Sequence, residues 1–129
     1  MKQEIIFRDE YFEIKYFGDV EIGGFFKTIA SLLKNPSFEM KSKYLADYSG
    51  LTGIERLFLS YDEIQTYAEL QKKISDKATR ISLAMTGLQG TDAKTLADLW
   101  TALCKYYGVE IEVKHFTSNE EASEWLISR

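Results

Sequence analysis

Two short stretches hold most of the side chains able to do chemistry. In "DYSGLTGI", residues 47–54, Asp47, Ser49, Gly50 and Thr52 set a carboxylate and two hydroxyls beside a glycine. In "TGLQGTDAK", residues 86–94, Gly87 and Gly90 precede Thr91 and Asp92. The first amides of a helix lack intrahelical partners and attract anions, so Gly87, Gly90 and Thr91 make a candidate phosphate or carboxylate cradle. Neither stretch matches the P-loop or GxGxxG patterns, and Asp92 adds negative charge at the same place. The plainer alternative is that the glycines make turns and that Thr91 or Asp92 caps a helix. Asp47 also has two readings: an Asx-type turn accepting amides from the Ser49-Gly50 segment, or a contact with a partner.

Other reactive residues are sparse. His115, the sole histidine, lies in an alternating strand and reads as a packed or edge imidazole instead of a ligand or catalyst. Cys104 is the only cysteine, which excludes an intramolecular disulfide and a cysteine metal cluster. It reads as small buried filling beside a helix's apolar stripe. No nucleophile and base can be assembled locally, so no catalytic residue, metal site or cofactor is expected. Aromatics are numerous, and Phe25, Phe26, Tyr44, Tyr48, Phe58 and Tyr67, with Ile29, could line a cavity for an apolar ligand or simply fill the core.

The elements that would position these residues follow from hydrophobic periodicity. "EIIFRDEYFEIKYF" reads as a hairpin, with strands near Ile5–Arg8 and Tyr11–Phe17 about the turn Asp9-Glu10. In the second strand Phe12, Ile14 and Tyr16 share one face. Ile22, Phe25, Phe26, Ile29, Leu32 and Leu33 recur at helical spacing until Asn35-Pro36, and Gly23-Gly24 blur the start of that helix. "KYLADYSG" is a short strand, and Ser60 with Glu63 forms a capping-box spacing for a second helix carrying Ile64, Tyr67, Ala68 and Ile74. "RISLAMTG" reads as an interior strand covered on both faces. The next helix starts at Thr91 or Asp92, turns Leu96, Leu99, Trp100, Leu103 and Tyr107 inward, and ends at Gly108. "EIEVKHF" alternates as a strand with one wet face, and Ser118 with Glu121 caps a last helix bearing Ala122, Trp125 and Leu126.

The order ββαβαβαβα predicts a single α/β domain over residues 1–129, with a mixed five-stranded sheet and about four helices. Repeated βα units require crossovers and so favour parallel strands. Apolar residues make up 45% of the chain, enough for a real core at this length. The net charge of −4, with basic residues scattered, argues against nucleic-acid binding. Met1-Lys2-Gln3-Glu4 lacks a secretory pattern and no apolar run nears the roughly 18 residues of a membrane span, so a soluble cytoplasmic protein is expected. Either the hairpin or "EIEVKHF" could present an edge to a second copy as a homodimer, although its charges also resemble edge protection.

The order and wording of these segments resemble the STAS domain, and more closely its SpoIIAA-like group, also described as STAS/SEC14-like. The most specific parts are "LADYSGLTGI" and the close of the chain, where Phe116 leads through a capped acidic turn to Ala122 and Trp125-Leu126. The resemblance implies a small α/β regulatory domain that works by binding. Relatives of the anti-sigma-factor antagonist type bind a kinase-like partner and are switched by phosphorylation of a serine just after this strand. The corresponding stretch here is Ile54-Glu55-Arg56-Leu57-Phe58, which has no serine. The SEC14-like side implies a lipid-like ligand beneath the first helix. The expectation is therefore a non-enzymatic STAS-like interaction domain using Asp47–Gly53 and Gly87–Asp92, with a carrier or sensor of a small apolar ligand as the alternative.

Overall fold

A computed structural model describes residues 1–36, 42–56, 61–77, 80–106 and 108–129. Alternating aromatic and β-branched residues open the chain as the hairpin β1 (Lys2–Phe7) and β2 (Phe12–Asp19), paired antiparallel from Lys2 opposite Phe17 to Phe7 opposite Phe12. Across the turn the Arg8 amide donates to the Tyr11 carbonyl at 3.0 Å. Phe12, Ile14 and Tyr16 are buried on one face, as a period of two requires. Glu13, on the other face, is buried too because Arg8 Nε and Nη2 donate to its Oε2 at 3.0 and 2.8 Å.

Helix α1 (Ile22–Leu33) keeps Gly23 and Gly24 inside its first turn. The absent side chain at Gly24 makes room for that of Met1. Strand β3 (Lys43–Thr52) runs past the expected strand "KYLADYSG" and takes in Leu51 and Thr52 of the loop that follows it. The reason is its partner. β2 runs on to Asp19, and Phe17, Gly18 and Asp19 pair with Gly50, Leu51 and Thr52. Between Lys15 opposite Asp47 and Phe17 opposite Gly50, two β3 residues, Tyr48 and Ser49, face the single residue Tyr16. That is a β-bulge, which lets the ladder continue in a new register. The chain turns only at Gly53, whose φ of +82° suits glycine, and then makes the 3-10 turn Ile54–Arg56.

The rest follows in the expected order: α2 (Tyr61–Lys77), β4 (Arg80–Thr86), α3 (Asp92–Tyr106), β5 (Glu110–His115) and α4 (Asn119–Ile127). After α3 the Gly108 amide donates to the Lys105 carbonyl and the Val109 amide to the Cys104 carbonyl, the bond pair of a Schellman cap. Ser118 caps α4 by accepting the Glu121 amide at 3.2 Å. The expected cap Ser60, residues Leu57, Phe58 and Tyr107, and the side chains of Ile64, Ala68 and Leu103 lie outside the described residues.

The fold is a mixed five-stranded α/β sheet in the order β1-β2-β3-β4-β5, with β2 to β5 parallel. Each crossover steps the same way across the sheet, and such crossovers are right-handed almost without exception, so α1, α2 and α3 belong on one face. Their buried residues, among them Phe25, Tyr67 and Trp100, indeed form one cluster with Ile14, Tyr44 and Met85. The opposite face carries a smaller cluster in which Ala122, Trp125 and Leu126 of α4 cover Leu45 and Ala84. Among the described residues no helix is long and apolar enough to cross a membrane.

Candidate functional site

The monotonic strand order removes the usual ligand crevice of open α/β sheets, which forms where the strand order reverses. The loop residues singled out by sequence are instead held by one another. Asp47 Oδ1 accepts the Ser49 amide at 3.0 Å and the Ser49 hydroxyl at 2.7 Å. The carboxylate thus satisfies the backbone of the bulge, which is the Asx-type local bond expected. Its Oδ2 accepts Asn119 Nδ2 at 3.2 Å, and Asn119 Oδ1 accepts the buried Thr86 hydroxyl at 2.6 Å. Burial would raise the Asp47 pKa, but the Ser49 and Asn119 bonds and the charge of Lys15 outweigh it and hold the carboxyl below its ordinary value.

Thr52 donates its hydroxyl to Asp19 at 2.5 Å across the β2–β3 pair. Gly50 is pressed on β2, where a Cβ would come within 2.6 Å of the Tyr16 carbonyl oxygen. Gly87, at φ +80°, lies on Ser49, where a Cβ would stand 2.7 Å from the Ser49 Cα. Gly90 and Thr91 are exposed, and Thr91 accepts the Thr95 amide and hydroxyl on its carbonyl, both at 3.0 Å. The structure therefore brings Asp47, Ser49 and Gly87 together, leaves Gly90 and Thr91 apart at the surface, and adds Asn119, which sequence reasoning missed.

A cavity of about 100 Å³ lies between the sheet and α1, α2 and α3. Its floor shows why the space is left. The inward positions of β3 read Tyr44, Ala46, Tyr48, so a methyl sits between two large rings. Those rings are fixed by packing: Tyr48 stacks on Tyr16 with centroids 5.3 Å apart at 4°, and Phe25 meets Tyr16 and Trp100 edge-on at 5.0 and 5.5 Å. Flat, mutually braced rings do not collapse into a gap as aliphatic chains do.

Among the described residues no charged side chain lines the cavity. Burial pushes the hydroxyl pKa values of Tyr16, Tyr44 and Tyr48 far above the ordinary tyrosine value, so all three stay neutral. Burial likewise raises the Cys104 thiol, whose Sγ lies 3.6 Å from the Tyr67 hydroxyl. Thr28 donates to the Gly24 carbonyl at 3.1 Å. The Trp100 indole stands beside the Tyr48 hydroxyl and lowers its pKa by hydrogen bonding against the larger effect of burial, while its buried Nε1 makes no hydrogen bond of full geometry among the described residues.

Of the expected pocket residues, Phe25, Ile29 and Tyr48 line this cavity, as do Tyr44 and Tyr67. Phe26 is buried but packs against Tyr67 at 5.7 Å without reaching the cavity, and Phe58 lies outside the described residues. Tyr16, Thr28, Trp100 and Cys104 are additions. Tyr16 and Trp100 had the available signal, since both fell on inward stripes. Among the described residues no three His, Cys, Asp or Glu side chains gather as a metal site. No protein-family model matches the chain, and no curated protein matches it.

Proposed function

We propose that this chain is a non-enzymatic α/β binding domain that carries or senses a small, neutral, largely apolar molecule beneath α1. The observation that carries this reading is the cavity of about 100 Å³. Well-packed interiors leave few voids larger than one water, and a dry engineered cavity of about 150 Å³ is known to take benzene. The volume here suits a ring of about five or six atoms and is too small for a whole lipid, which narrows the lipid-like expectation. Neutral tyrosines and a lining without charge among the described residues favour holding over acid–base chemistry.

The partner-binding reading implied by the SpoIIAA-like resemblance uses the end of β3. There Asp47, Ser49 and Thr52 spend polar groups on internal bonds, which favours the cavity instead. The test is thermal denaturation of the full chain with benzene, toluene and cyclopentanone at millimolar concentration, alongside native mass spectrometry of protein from its own host. A raised melting temperature with at least one compound, lost in Ala46→Val, supports the reading. No shift with any compound, together with no bound mass, overturns it.

A further inference from the structure

The two edges of the sheet are β1 and β5, and they are guarded unequally. β5 carries a charge at every second residue, Glu110, Glu112 and Lys114, and Glu112 is tied to Arg129 at 3.2 Å and to Arg80 at 3.7 Å. Charges so placed discourage the addition of a further strand. β1 pairs with β2 alone among the described residues, in an unbroken register with neither bulge nor proline. Its second half is Ile5-Ile6-Phe7, and Phe7 is 56% exposed.

The hairpin fixes which backbone groups β1 offers. The Arg8 amide bonds the Tyr11 carbonyl, and bonded pairs alternate with non-bonded ones along an antiparallel ladder, so Lys2, Glu4 and Ile6 bond to β2. Gln3, Ile5 and Phe7 therefore turn their N–H and C=O groups outward. By the same alternation Ile5 and Phe7 share the face of Ile14 and Phe12, while Glu4, Ile6 and Arg8 lie on the face of Glu13.

We propose that β1 pairs antiparallel with β1 of a second copy about a two-fold axis at Ile6, joining two sheets into one. In that register Ile6 faces its own copy, Ile5 faces Phe7 and Glu4 faces Arg8, the last two pairs each occurring twice by symmetry. Arg8 has five donors, so it can meet Glu4 of the other copy while Nε and Nη2 hold Glu13. Neighbouring registers are poorer. An axis at Ile5 sets Lys2 against Arg8, one at Glu4 sets that carboxylate against its copy, and one at Phe7 sets Arg8 against Ile6. An axis at Gln3 joins Lys2 to Glu4 but leaves Phe7 in water. Opposite charges and apolar pairs coincide in the Ile6 register.

Sedimentation of the full chain from micromolar to millimolar concentration reads the equilibrium. The mass is expected to rise from that of one chain to that of two. Glu4→Arg turns two attractions into two repulsions and should weaken the dimer on the order of tenfold. Cysteine trapping reads the register. A cysteine in place of Ile6 would meet its copy at a non-bonded pair, with Cα atoms about 4.5 Å apart and within disulfide reach. One in place of Glu4 would lie about 13 Å from its copy along the strands. Under mild oxidation Ile6→Cys should therefore link many-fold faster than Glu4→Cys, and the native chain, whose Cys104 is buried, should not link. A chain that stays monomeric throughout overturns the proposal. So does a dimer that ignores Glu4→Arg, or one that links no faster through Ile6→Cys than through Glu4→Cys, either of which moves the contact to another register or to β5. Should Ile6→Cys not fold, sedimentation of the native chain and Glu4→Arg decides alone.

Discussion

Gly87 and Gly90 lie three positions apart in one loop, both at positive φ, +80° and +60°, and sequence gives no way to tell them apart. The structure does. An alanine Cβ at Gly90 would meet no described atom within 4 Å, so Gly90→Ala bears only the left-handed backbone cost of about 1–2 kcal/mol. At Gly87 the Cβ would overlap the Ser49 backbone, at 2.7 Å from its Cα, where β3 is held by the bulge and by Asp47. Backbone cannot step aside as a flexible side chain can, so an overpacking cost of about 1–3 kcal/mol adds to the conformational one. Gly87→Ala should therefore cost about 2–5 kcal/mol in all. Urea denaturation followed by circular dichroism, with m unchanged, measures both variants on one scale. Equal losses in the two would refute the argument that Gly87 is there for close approach to β3.

Three further outcomes follow from the same geometry. Ala46→Val adds two carbons facing the cavity and should raise stability by about 1 kcal/mol, read from thermal or urea melts, while abolishing small-molecule binding. The Asp47 carboxyl titrates below its unfolded value near 3.9, so it stabilises the fold above that pH and loses the contribution as pH falls through the lowered folded value. Wild type should accordingly lose more stability than Asp47→Asn on acidification from about pH 6 to 2, and an identical slope in the two would contradict the assignment. Cys104 is buried with a raised pKa, so a thiol reagent at pH 8 should label the native chain many-fold more slowly than the urea-unfolded one, and cavity ligands should slow it further.

Much of the fold was legible because each element carried its own period. The 3.6 spacing of Ile22 to Leu33 and the strict alternation of Glu110 to His115 needed no tertiary information. The end of β3 was not legible, since Gly50 and Gly53 look like turn residues and only pairing with Gly18 and Asp19 carries the strand on through Leu51 and Thr52. The Asn119–Asp47 bond joins residues 72 positions apart, and no local pattern announces it. The inward direction of Tyr16 and Trp100 could be read, but that they enclose space could not. That depends on Ala46 standing between Tyr44 and Tyr48 while the rings around it brace one another.

The sheet separates the two tryptophans, with Trp100 in the cluster under α1 to α3 and Trp125 in the small cluster under α4. Each face thus has its own intrinsic fluorophore. Among the described residues the buried members of the α4 cluster are Leu45, Ala84, Ala122, Trp125 and Leu126, so it has far less apolar contact to lose than the other. Opening of α4 is then a sub-global event, with a lower free energy than global unfolding and earlier hydrogen exchange of its amides. Emission from Trp125 would report that event while Trp100, still enclosed, reports the larger core, so the rear layer can be watched peeling from the sheet before the cavity is breached.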